Sequence, residues 1–239
     1  LLLKKFGENY SWHSSKQIAF LKTEKVETEE AIRILEKSYR NLNSPSVYQT
    51  YDFAQFLKNS EKFEQSIGYY STVIQNISKT HELYPKAKDG RGIAYERVGE
   101  WDKAEKDLLS SLEVNPDQAY VINYLAYSWI EQGVNIERSL KMLEKANDLR
   151  KNDGYIIDSL GWALFKLEKF TEAEKYLQRA VSLMPSDPVI NDHYGDSLWM
   201  RGKNLQARYY WNYVLNLEKT EEDLKRKVEN KLLFGIENK

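Results

Sequence analysis

Residues 154–185, GYIIDSLGWALFKLEKFTEAEKYLQRAVSLMP, decide the architecture. They form two short helical segments joined by a tight turn. Leu160, Gly161, Leu164, Phe170, Ala173, Leu177 and Ala180 fall on the facing sides, and Pro185 closes the unit. Small residues are needed where two helix axes approach most closely, large apolar residues fill the space between them, and proline ends the second helix.

Shifted by about 34 residues, most of the chain falls into the same register, the signature of a repeat array. The small residue of the first helix is Ala54, Gly92, Ala126, Gly161 and Gly195. The small residue of the second helix is Ser66, Ala104, Ser139, Ala173 and Ala207, followed one turn later by Tyr70, Leu108, Leu143, Leu177 and Trp211. Pro116 and Pro185 close two units, and Lys151 and Lys219 stand there in the alternate units. This register divides 47–219 into about five repeats, 47–84, 85–118, 119–153, 154–187 and 188–219. The first repeat is longer near Lys79–Tyr84, where an extended second helix or a wider loop is expected. Gly133-Val134-Asn135 adds one residue to the third, which a turn absorbs.

Before the array, residues 1–46 read as a leading helical pair. Residues 1–11 carry little pattern and suggest a frayed start; a helix is expected from about Trp12 to Lys22, and a second from Thr28, as N-cap, to Asn41. After the array, 220–239 contain an amphipathic helix from Thr220 to Ile236, with Leu224, Val228 and Leu232 on one stripe. A final helix with a polar back caps the open end of a stack.

The chain has 35 Lys and Arg against 36 Asp and Glu, so no global positive field draws it to nucleic acid. It contains no cysteine, which excludes disulfides and thiolate metal sites. No apolar run approaches the roughly 20 residues of a membrane span. Five prolines and eleven glycines, several at repeated phases, fit an almost wholly helical chain. The sequence opens on Leu1 without an initiator Met, which is expected of a trimmed precursor or a segment beginning mid-chain.

The period, the phases of Leu160-Gly161, Phe170, Ala173, Ala180 and Pro185, and the final helix resemble the tetratricopeptide repeat family over roughly 47–219. The resemblance implies an all-α, right-handed superhelical solenoid of antiparallel hairpins, whose concave face holds a peptide or a partner helix. The wording RGIAYERVGEWDKAEKDL, YVINYLAYSWIEQGVN, DGYIIDSLGWALF and DPVINDHYGDSLW is similar to bacterial members that are often exported or membrane-anchored. On that wording the bacterial cell envelope is favoured over the cytoplasm.

Catalytic signatures are thin. His13, His81 and His193 are far apart in repeat order, and neither HExxH nor a glycine-rich phosphate loop occurs. Ser159 and Ser197 have no base and orienting group at suitable spacing. His193 sits between Asp192 and Asp196 on one helix and reads as a surface histidine on a groove wall. The chain is expected to be non-catalytic, with no cofactor and no metal.

In the family, the fifth, ninth and twelfth positions of each first helix point into the groove. Here those are Tyr51, Asp89, Asn123, Asp158 and Asp192; Gln55, Ile93, Tyr127, Trp162 and Asp196; and Lys58, Glu96, Ile130, Phe165 and Trp199. The resemblance therefore implies apolar anchors at Tyr127, Trp162, Phe165 and Trp199, with Asn123, Asp158, Asp192 and Asp196 as polar or charge readers. Aromatic anchors dominate interface energetics, and an acidic row favours a partner with Lys, Arg or a free amine near apolar side chains. It also disfavours the acidic chaperone tails that some members bind through inward Lys, Asn and Arg. The competing reading packs Trp162, Phe165 and Trp199 between hairpins; on it, Trp162→Ala costs as much stability as a core deletion rather than binding alone. The expected function is a protein-interaction scaffold. Its rivals are a self-associating array and an accessory region of a larger enzyme.

Overall fold

The computed structural model describes residues 2–236. Leu1 and 237–239, which the sequence assigns to the start and to the C-terminal cap, lie outside the described residues. Thirteen α-helices and no strand occur among the described residues. The chain divides into two compact units, 1–116 and 117–239.

The first unit holds α1 (Leu2–Glu24), α2 (Thr28–Arg40), α3 (Val47–Asn59), α4 (Phe63–Gln75), α5 (Leu83–Arg97) and α6 (Trp101–Val114). These pair in order as three antiparallel hairpins, α1 with α2, α3 with α4 and α5 with α6. Helix α1 begins ten residues before the expected Trp12, because 2–11 contain no proline and only one glycine to oppose a helix. Thr28 is the first helical residue of α2 and not its cap; Glu27 takes the cap position without a side-chain hydrogen bond. Ser46 does cap α3, and Gln49 answers it in a reciprocal capping box. Residues 76–82 form the wider connection before α5, and Pro85 sits in the first turn of α5, where its missing N–H costs nothing.

The second unit holds α7 (Ala119–Glu131), α8 (Ile136–Leu149), α9 (Gly154–Lys166), α10 (Phe170–Leu183), α11 (Pro188–Met200), α12 (Asn204–Leu215) and α13 (Glu222–Phe234). Helices α7–α12 make three further hairpins, and α13 packs on α12. The small-residue register is physical. A Cβ at Gly161 would lie 2.7 Å from Leu177 Cγ, and one at Gly195 would lie 2.6 Å from the Trp211 ring. Leu164, Leu177, Leu198, Trp211, Val214 and Val228 make one core across the last hairpins.

One local device recurs in both units. The residue ending each hairpin's first helix adopts a left-handed conformation: Val26, Glu61, Gly99, Gly133, Glu168 and Gly202, with φ between 58° and 80°. At Glu168 its N–H bonds Phe165 C=O at 2.9 Å and Lys169 N–H bonds Leu164 C=O at 2.9 Å. The same pair of bonds recurs at Glu61, Gly99 and Gly202. This cap satisfies the orphan carbonyls of the first helix and turns the chain back on itself.

Candidate partner-binding groove

The site is built on the first helices of the second unit, α7, α9 and α11, with α13 as its far wall. Asp153 starts α9 by accepting from the Tyr155 and Ile156 amides, and Asp187 does the same for α11 at Val189 and Ile190, where Pro188 occupies the first turn. These caps fix where each helix begins, and hence which side chains turn inward.

Between the helices lies a cavity of about 700 Å³, lined by Tyr127 and Glu131, Trp162 and Lys166, Asp192, His193 and Asp196, and Leu224, Lys227 and Lys231 among others. Trp162 is its hub. The His193 imidazole stacks on the indole with centroids 3.9 Å apart and 9° between planes. Phe165 stacks on the same side chain at 4.7 Å. The indole N–H donates to Glu131 Oε1 at 2.7 Å, and Lys166 Nζ stands 4.6 Å from the ring. Trp162 is 7% exposed, so most of its surface is already covered within the fold.

His193 is buried, not on the surface as its sequence neighbourhood suggested. Its Nδ1 lies 3.0 and 3.1 Å from the two Asp158 oxygens. Burial works against its charge, but Asp158, 35 residues earlier and one repeat away, together with Asp192 and Asp196, outweighs that, and its pKa is held above the ordinary histidine value.

The acidic pair on α11 has an equally definite partner. Lys231 of α13 donates to both Asp192 oxygens at 2.8 Å and to Asp196 Oδ2 at 2.8 Å. Asp196 Oδ1 accepts the Trp211 indole N–H at 3.0 Å. Burial pushes the Asp196 carboxyl up to about 6, with the Asp192 charge adding to it, because one amine is shared between two buried carboxylates. The same two carboxylates outweigh the desolvation of Lys231 and raise its pKa.

The other expected contacts are distributed differently. Tyr127 lines the cavity, and burial, then Glu131 and Asp158, push its phenol up. Phe165 reaches the site only through Trp162. Asp158 lies beneath it under His193. Trp199 packs at 5.3 Å on Trp211 and donates to the Ile236 carbonyl at 3.2 Å, under the C-terminal segment. Asn123, on α7, does not line the cavity, and its buried Oδ1 has no hydrogen-bond partner.

Glu131, Lys166, Lys227 and Lys231 are among the lining groups that spacing alone did not select. Glu131 and Lys166 end their helices at the thirteenth position, one past the last inward phase of the family pattern, and Lys231 belongs to the capping helix. Ser159 and Ser197 donate to the Tyr155 and Tyr194 carbonyls within their own helices. Among the described residues no group of His, Asp or Glu is arranged to hold a metal ion, and no helix is long and apolar enough to cross a membrane.

Comparison with known proteins fits this architecture. TPR repeat-containing protein PA4667 of Pseudomonas aeruginosa is 27% identical over 146 residues, covering 60% of this chain and 23% of that protein. This chain therefore spans less than a quarter of that relative's length. A tetratricopeptide repeat protein from Parabacteroides merdae superposes with a TM-score of 0.70 at 16% identity, covering 95% of this chain and 88% of that one. MamA from Desulfovibrio magneticus RS-1 gives 0.62 at 16%, covering 76% and 99%. YrrB, described as a TPR protein with an unusual peptide-binding site, gives 0.58 at 14%, covering 77% and 92%. At these identities the structural likenesses carry the fold. The family's own pattern, described as tetratricopeptide repeat, matches residues 11–220. With that match over most of its length, the chain belongs to the tetratricopeptide repeat family.

Proposed function

We propose that the second unit binds a segment of a partner protein in the cavity between α7, α9, α11 and α13. The repeat fold supports a protein-interaction scaffold in general, and a peptide-binding site is described for the similarly folded YrrB. The observation that carries the reading is the cavity itself, about 700 Å³ in volume and lined by aromatic rings and by opposed charges. A concave, partly apolar site with a few convergent polar groups is where a ligand is held. Tyr127, the Trp162 edge and Lys166 are the contacts proposed on its walls, with Asp192 and Asp196 at its acidic end. Phe165, Asp158 and Trp199 support these groups from behind. The activity proposed is binding without chemistry.

A photo-crosslinking side chain placed at Tyr127 or Lys166, and separately at Lys175 on the exposed face of α10, tests this in native extract. Discrete adducts from 127 and 166 that are absent from 175 support the groove. Equal labelling from all three places, or none from 127 and 166, overturns it.

A further inference from the structure

The carboxylates that α7, α9 and α11 turn towards the groove are already engaged within the chain. Asp158 holds His193, Glu131 holds the Trp162 indole, and Asp192 with Asp196 holds Lys231. The last of these stands apart, because its amine comes from α13, which buries fewer residues than any other helix of the second unit. Helices α9 and α11 each bury ten residues, whereas α13 buries only Val228. Leu224 and Leu232 are partly buried against the same core. Beyond these, polar clips hold the end of the segment: Lys231 on the two aspartates, Arg208 on the Leu232 carbonyl, and Trp199 on the Ile236 carbonyl. Leu233 and Phe234 remain 71% and 78% exposed.

We propose that α13 is a displaceable strap filling the acidic end of the groove in cis, and that the partner segment is a lysine-bearing amphipathic helix that seats its own amine between Asp192 and Asp196. This rests on the groove being the binding site. The chemistry selects the partner. Removing Lys231 without replacement leaves two buried carboxylates facing each other, and a carboxylate or apolar group there only worsens that. Exchanging one amine for another restores the same bridge between the two carboxylates. The apolar contacts of α13 define the remaining pattern: Leu224, Val228 and Leu232 lie seven and three residues before the lysine and one after it. All four fall on one helical stripe. A partner helix presenting apolar residues at those offsets from a lysine fits the seat that α13 occupies.

The test uses the full chain and a fluorescein-labelled synthetic peptide of residues 221–236 as the probe, with a second probe in which Lys231 is replaced by Gln. Anisotropy titrations are run on the wild type, on Lys231→Met, and on Lys231→Met combined with Asp192→Asn and Asp196→Asn. Because the intramolecular competitor is weakened, Lys231→Met should bind the lysine probe at least about tenfold more tightly than wild type. The Gln probe and the Asn variant should each lose about tenfold of that gain. Equal binding by wild type and Lys231→Met, no binding by either, or indifference to the probe's lysine overturns the strap. So does loss of cooperative melting in Lys231→Met, which makes α13 a fixed cap. If crosslinks from position 127 persist in that case, the groove stands and only the strap falls; if they vanish as well, the groove reading has failed independently.

Discussion

The His193 imidazole lies flat on the Trp162 indole, 3.9 Å away and 9° from parallel, while its Nδ1 meets Asp158 on the helix that carries Trp162. The contact ties α9 to α11 through one stack and one charge-assisted bond. It holds the Trp162 ring in the packing between α9 and α11 while the same side chain lines the cavity.

Trp162→Ala is therefore expected to behave as a core deletion, losing roughly 3–5 kcal/mol of stability. Trp162→Phe, which keeps a ring for stacking but loses the bond to Glu131, should lose distinctly less. Urea unfolding of both variants measures this, and a Trp162→Ala midpoint equal to wild type would return the indole to the surface.

His193 should titrate above the ordinary histidine value, because burial opposes its charge but Asp158, with Asp192 and Asp196, outweighs it. The sign follows from the raised pKa. The stabilisation is fully present below about 6.5, where the unfolded histidine is also protonated, and is lost as pH rises through the folded value. Asp158→Asn should lower the His193 titration seen by NMR and reduce this loss. A His193 midpoint unchanged by Asp158→Asn contradicts the pairing.

In the first unit, burial pushes Asp89 up to about 6, opposed by Lys58. Here a raised carboxyl costs stability as pH rises from the unfolded carboxylate value of about 4 towards 6, since the folded state resists ionisation. Asp89→Asn should thus melt higher than wild type at pH 7.5 and show little difference near pH 3.5. A lower melting temperature at pH 7.5 would assign Asp89 a favourable ion pair instead.

Two alanine substitutions at helical glycines should move stability in opposite directions. Gly161→Ala drives a methyl to within 2.7 Å of Leu177 Cγ and 3.2 Å of the Leu177 amide nitrogen, and should cost about 1–3 kcal/mol. At Gly68, in α4, an alanine methyl would meet no neighbouring atom within 4 Å, so Gly68→Ala should stabilise by about 0.5–1 kcal/mol. Thermal melts of the pair are enough, and equal shifts would show that the small-residue register is not what fixes hairpin spacing.

Much of the fold was legible because hairpin packing repeats its demands at fixed intervals. Gly161 and Gly195 must be small where Leu177 and Trp211 press against them, and that need shows in the letters. The helix turns were less legible. Glu61 and Glu168 adopt the left-handed conformation that Gly99 and Gly202 adopt at the same step, so the residue type did not advertise the geometry. The lining of the candidate cavity was legible by phase and not by chemistry. Tyr127, Trp162, Asp192 and Asp196 do reach the cavity wall. Which of them are already engaged could not be read, because the partners of Asp158 and Asp192 lie 35 and 39 residues further along the chain.

The sequence by itself determined the all-helical hairpin architecture, because periodic small and large residues act locally and between adjacent helices. Only the tertiary structure decided that His193 is buried on Trp162 and that Lys231 bridges the acidic pair. Those contacts join side chains from different hairpins or from the last hairpin and the capping helix, and a charge pattern along one helix carries no record of the amine that will fold back to meet it.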